Sequence, residues 1–300
     1  MTFTSSRTNH IYEMTRLRAK FFPLAALALA AAAMAYQSLH AVISRNFNDE
    51  LYSHIPLIPI IGSYLLYRQR LVLLQALDSW HLPGIWIMSL GAGMFIFCQF
   101  AGLPLLDFAT ASTLSTVVFL LGAFLFVFGV DAFRKAGFAM AMFSFIIPPP
   151  NLLMNRAVTV LVKSSAFVTH WLFHLLNVPF VQEGSVFFLP GLNIEITRAC
   201  SGMRSTIALL VTSLLAGHLF LDKLWKRVLL VALVFPIAVL RNGVRITALY
   251  LLAYFVDEDA IMGGFLHNSG GFIFFFLGLV ILGLVLWFLR NSDKQSPHGA

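Results

Sequence analysis

From Gly271 to Arg290 the chain reads GFIFFFLGLVILGLVLWFLR, apolar until its closing arginine. Such a run is close to the roughly 20 residues an α-helix needs to cross the hydrocarbon core of a bilayer. It is not alone, because GIWIMSLGAGMFIFCQFAGL (84–103) has the same character. In lipid, backbone N–H and C=O groups find no water, so each crossing segment must satisfy them internally as a helix. Composition agrees: 59% of the chain is hydrophobic and only 11% charged, against roughly 25% charged in soluble domains. The chain is therefore expected to be an integral membrane protein, with a retained first span rather than a cleaved leader.

Basic residues assign the directions. We read about eight spans: 21–42, 53–67, 83–103, 110–131, 136–148, 200–221, 227–256 and 268–290. Residues 1–20 and 291–300 are read as cytoplasmic tails flanking one membrane domain at 21–290. With the N-terminus inside, the cytoplasmic loops collect thirteen of the twenty Lys and Arg, among them Arg68, Arg134, Lys135, Lys223 and Arg227. Short basic loops are what orients a polytopic protein. The net charge of +7 thus speaks for topology, and no nucleic-acid partner is expected. The fifth span ends at PPPN (148–151), where successive prolines lack backbone donors. Pro236 is the expected kink of the seventh.

Two segments fall outside this scheme. MNRAVTVLVKSSAFVTHWLFHLL (154–176) is interrupted by Arg156, Lys163, His170 and His174, and is read as an amphipathic helix lying at the interface. VPFVQEGSVFFLPGLNIEITR (178–198) reads as strands with turns at Glu183-Gly184 and Pro190-Gly191, outside the hydrocarbon region. The fold class expected is thus an all-α polytopic membrane protein with one interfacial helix. A small extracytoplasmic strand-like hairpin precedes the helix that carries Cys200.

The chemistry concentrates at the outer boundary. Cys200 opens the sixth span in ACSGMRS, Arg241 and Arg245 lie in RNGVRI of the seventh, and His267 precedes the eighth. An i, i+4 spacing puts Arg241 and Arg245 on one helix face, and on the same ground Cys200 and Arg204. A guanidinium within a span costs at least roughly 2.5–3.5 kcal/mol on insertion scales, so Arg204, Arg241 and Arg245 point to a polar cavity facing outward. Cationic neighbours and a helix N-terminus favour a nucleophilic thiolate. A histidine can pass protons during acyl transfer, and an arginine can stabilise an oxyanion or bind a carboxylate. Two other readings stand beside this one: an anion or polysaccharide transporter with an arginine-lined cavity, and a non-catalytic envelope scaffold. The arginines would merely cap a loop if the seventh span broke at Asn242-Gly243. His170 and His174 alone are thin ground for a metal; neither metal nor cofactor is expected. Cys98, inside an apolar run, is read as a small buried residue.

The motifs ACSGMRS, RNGVRI and FLHNSGGFIFF, in that order, resemble the exosortase/archaeosortase family of membrane cysteine transpeptidases. NDELYSHIPLIPIIGSYLLYRQR, MFSFIIPPPNLLMN and EGSVFFLPGLNIEITRACSG also fit, although Ile55 stands where a glycine commonly follows the histidine. The resemblance covers roughly 45–290. It implies Cys200 as nucleophile, Arg245 as the arginine of the Asn-x-x-Arg segment and His267 as the proton-transfer residue, with Arg241, Arg204 and Asn242 in support. The implied partners are secreted proteins ending in a Pro-Glu-Pro motif, a transmembrane helix and a basic cluster. They would be cleaved through a thioester and passed to an unknown acyl acceptor, in a bacterial inner membrane with the site facing the periplasm and in association with exopolysaccharide production. The strand region, tested at Val186–Leu189, is expected to receive the extended substrate by adding a strand.

Overall fold

The computed structural model describes residues 20, 22–36, 40, 52, 54–75, 82–255 and 265–294, with side chains of the last helix from 273 to 292. It is helical apart from one small sheet, and six of its helices are long and apolar enough to cross a membrane. The polytopic all-α class is therefore as the apolar runs require. The chain falls into two compact units, 1–153 and 154–300.

The first unit holds α1 (Phe22–Tyr36), α2 (Leu57–Arg68), α3 (Arg70–Gln75), α4 (Leu82–Phe100), α5 (Leu105–Phe128), α6 (Val130–Lys135) and α7 (Gly137–Met142), which tightens into a 3-10 turn at Phe143–Ile146. α4 and α5 coincide with two expected spans. They approach so closely that a Cβ on Gly122 would lie 2.5 Å from the backbone nitrogen of Met88, the small-residue packing that membrane helices use. Between them Cys98 is buried, its Sγ 3.9 Å from Ser115 Oγ, as a small core residue. The proline run stops α7 as expected and is tied to α5, where Thr110 Oγ1 donates to the Pro148 carbonyl at 2.8 Å. The first, second and fifth expected spans do form apolar helices, and among the described residues the second and fifth are shorter than the roughly 20 residues of a full crossing.

The second unit begins in α8 (Asn151–Leu175). The segment is one helix, unbroken for 25 residues, and its length and hydropathy also reach those of a crossing helix. Arg156, Lys163 and the histidines do not interrupt the backbone, since a long charged side chain leaves its own helix at little cost. After α8 comes an antiparallel sheet of β1 (Val181–Glu183), β2 (Val186–Leu189) and β3 (Leu192–Glu195), in the order β1-β2-β3. Its turns fall at Gly184-Ser185, one residue beyond the expected Glu183-Gly184, and at Pro190-Gly191 as expected. Val186–Leu189 is the central strand, already paired on both sides, so an added strand within 178–198 would have to meet the edge strands β1 or β3 and not the residues named to test it.

A 3-10 turn at Ala199–Ser201 follows, then α9 (Met203–Phe220), α10 (Leu224–Ala232), α11 (Val234–Phe255) and α12 (Phe265–Lys294). Pro236 breaks the seventh span as anticipated, but three residues upstream of itself, at Leu233. Proline has no N–H for the carbonyl of Ala232 and its ring crowds that carbonyl, so the helix parts there. Two apolar clusters hold the unit. Phe173 of α8 meets Phe187 and Tyr250 edge-on at ring-centroid distances of 5.6 and 5.4 Å, joining α8, the sheet and α11. Leu209, Leu230, Ile237 and Leu282 join α9 to α12.

Candidate active site around the Cys200 turn

Cys200 sits in the tight turn between β3 and α9, not in the helix itself. Its N–H bonds to Thr197 O at 3.1 Å, and Ser201 Oγ donates to Arg198 O at 2.6 Å. Gly202 then takes φ +71°, a left-handed conformation that costs a residue with Cβ roughly 1–2 kcal/mol. That kink separates the turn from α9. The i, i+4 relation of Cys200 to Arg204 is therefore lost; Arg204 stands exposed in the first turn of α9.

α11 is continuous through Asn242-Gly243, which removes the loop-capping alternative and keeps Arg241 and Arg245 on one face. Gly243 lets α8 and α11 close up, since a Cβ there would come 2.5 Å from Val168 Cγ1. That approach brings Asn242, 1% exposed, between two elements. Its Nδ2 donates to the Cys200 carbonyl at 2.9 Å and to Ser165 Oγ of α8 at 3.0 Å. Its Oδ1 is buried without a hydrogen-bond partner among the described residues.

Arg241, 3% exposed, reaches the same turn. A Cβ on Gly202 would lie 2.9 Å from Arg241 Nη2 and 3.1 Å from Asn242 Oδ1. On its other side the Arg241 stem passes α12 at Gly278, where a Cβ would be 3.3 Å from Arg241 Cδ. Two glycines thus make the space in which a buried guanidinium meets the Cys200 turn. Arg245 lies one helical turn further along, half-buried, with its Nε buried and unpartnered among the described residues. His267 belongs to the first turn of α12; its side chain lies outside the described residues. Among the described residues of the expected constellation, Asn242 and Arg241 are seen to contact the Cys200 turn.

Ser165 was not singled out from the sequence. A serine inside VKSSAF carries no motif, and its partner is 77 residues away. His170 and His174 are accounted for locally: His170 Nδ1–H donates to Gln182 Oε1 at 2.6 Å, and both rings pack edge-on against Phe180. A groove of about 910 Å³ runs between α8 and the sheet, lined by Lys163 and Arg198 but not by Arg204, Arg241 or Arg245. Those three arginines therefore do not line this groove as a transport path would need.

Fold and site together define a polytopic helical membrane protein whose cysteine turn is braced by a buried Asn-Arg pair from a neighbouring helix. The family model for transmembrane exosortases matches residues 44–284, and the chain belongs to that family. No match was found among curated proteins or solved structures.

Proposed function

We propose that this exosortase-family protein is a cysteine transpeptidase that cleaves the carboxy-terminal sorting signal of secreted proteins and transfers them to an envelope acceptor. The observation that carries the reading is the buried Asn242 brace on the Cys200 carbonyl, with the Arg241 guanidinium against the same turn. A cysteine turn braced at its carbonyl, with a buried guanidinium against Gly202 two residues on, is suited to attack at a carbonyl, because the cation opposes the charge that develops on oxygen.

In this reading the Cys200 thiolate bonds to the scissile carbonyl carbon, and its electron pair moves onto oxygen. Arg241 and Arg245 are the candidates to stabilise that oxyanion. Collapse breaks the C–N bond, His267 gives its proton to the leaving amine, and a thioester remains. An acceptor hydroxyl or amine then attacks the thioester, His267 removes its proton, and the thiolate leaves. With α8 lying at the interface, the distribution of basic loops supports a multi-pass arrangement in a bacterial inner membrane with Cys200 towards the periplasm. Substrates are expected to carry the Pro-Glu-Pro, helix and basic-cluster signal, with a link to exopolysaccharide export.

The test is Cys200→Ala and Cys200→Ser in the host, following the size and anchoring of a secreted reporter bearing the signal. Both variants are expected to leave the reporter unprocessed while accumulating in the membrane like the parent. Normal processing by either one ends the thioester mechanism.

A further inference from the structure

The groove beside the Cys200 turn has the shape and charge of a peptide site. One wall is a single face of α8, where Val158, Val162 and Ala166 recur at helical spacing and Lys163, Phe167 and His170 flank them. This stripe spans 13 residues, or about 20 Å of helix axis, room for roughly six residues of extended chain at about 3.3 Å each. The opposite wall is the end of β3 and the segment that leads into the Cys200 turn, Glu195 to Arg198. Its volume of about 910 Å³ is near the top of the roughly 300–1,000 Å³ of ligand sites.

Strand addition does not explain how a chain would be held there. Ile196 N–H bonds to Ser185 O, so by antiparallel alternation the backbone groups of Glu195 and Thr197 point away from β2. Thr197 N–H, however, closes back on Glu195 O at 3.1 Å, and Thr197 O is taken by Cys200 N–H. With Glu195 N–H the one outward backbone group on this wall not so engaged, recognition falls chiefly to side chains. The lining holds two cations, Lys163 and Arg198, against one carboxylate, Glu195. None of the three forms an ion pair among the described residues. An occupant bringing one carboxylate balances the excess, and a guanidinium fork is suited to receive it. Gln182 Nε2 donates to Gly184 O at 2.8 Å while its Oε1 holds His170 Nδ1, which leaves His170 Nε2 for the occupant.

We propose that this groove binds an extended, acidic segment of the protein substrate next to the bond Cys200 attacks, with Lys163 and Arg198 as its charge-reading residues. The proposal rests on the transpeptidase reading. It adds where the substrate lies and what selects it. Cys200 is two residues beyond Arg198, at most about 7 Å of extended chain, so a carboxylate on Arg198 leaves the neighbouring peptide bond at the thiol.

The experiment is a charge exchange. Lys163→Glu/Arg198→Glu and the parent enzyme are each given two reporters, one with the natural acidic residue and one with that residue changed to Lys. The parent is expected to prefer the acidic reporter by about tenfold or more, and the double variant to reverse that preference, since each 1.4 kcal/mol of lost complementarity is tenfold. An unchanged preference in a variant that still processes overturns the proposal. In parallel, a photo-crosslinking residue at Phe167 in the Cys200→Ala protein is expected to capture the acidic reporter. Capture of lipid alone overturns the proposal in favour of a headgroup site. Because that arm needs no chemistry, a parent that processes nothing sinks the transpeptidase reading while occupancy of the groove is still decided.

Discussion

Replacing Asn242 by alanine separates bracing from mere stability. The side chain makes two hydrogen bonds through Nδ2, to the Cys200 carbonyl at 2.9 Å and to Ser165 Oγ at 3.0 Å, and none through Oδ1 among the described residues. Each bond is worth about 1 kcal/mol net, so Asn242→Ala is expected to lose about 2 kcal/mol of stability. Ser165→Ala removes only the bond on the far side of the brace and is expected to lose about 1 kcal/mol. The two diverge in function. Without the bond to its carbonyl the Cys200 turn is free to shift, and a displacement near 1 Å costs on the order of 100-fold in rate. Ser165→Ala keeps that bond and is expected to stay within a few-fold of the parent. Reporter processing in membrane preparations, normalised to folded enzyme measured by thermal unfolding in detergent, reads the difference. Equal losses per folded molecule in the two variants would refute the brace, as would parental activity in Asn242→Ala.

Three further outcomes are expected. Gly202→Ala introduces a Cβ at φ +71°, 2.9 Å from Arg241 Nη2 and 3.1 Å from Asn242 Oδ1. It should destabilise by at least about 1 kcal/mol and cut processing further than its melting temperature explains; a neutral result would mean the turn has another shape. Lys226, 2% exposed, donates to Leu289 O and Ser292 Oγ at 2.7 Å each, so Lys226→Met should lower stability by about 2 kcal/mol with unaltered processing per folded molecule. A membrane-impermeant maleimide applied from the periplasmic side should label half-buried Cys200 and spare buried Cys98. Labelling only from the cytoplasmic side would invert the assigned topology.

Much of this was legible in one dimension. Apolar runs of bilayer length require helices because lipid offers no hydrogen-bond partner, and EG and PG between alternating residues point to turns. The break ahead of Pro236 follows from its missing donor. The candidate cysteine segment was legible as a short motif, since a thiol next to glycine and arginine at a helix start is a local pattern. What failed were extrapolations across points that local rules do not see. The i, i+4 relation of Cys200 to Arg204 presumed a helix that Gly202 interrupts, and the strand residues named to receive substrate, Val186–Leu189, are paired on both sides.

Sequence alone therefore determined the membrane class and the helical and strand segments, because each depends on residues within a few positions of one another. Only tertiary structure decided what meets the Cys200 turn. Asn242 is 42 residues from Cys200 and 77 from Ser165, and Arg241 reaches Gly202 because glycines at 202 and 278 leave it room. Such contacts are set by how closely helices approach, a property of packed side-chain volumes that no spacing along the chain encodes.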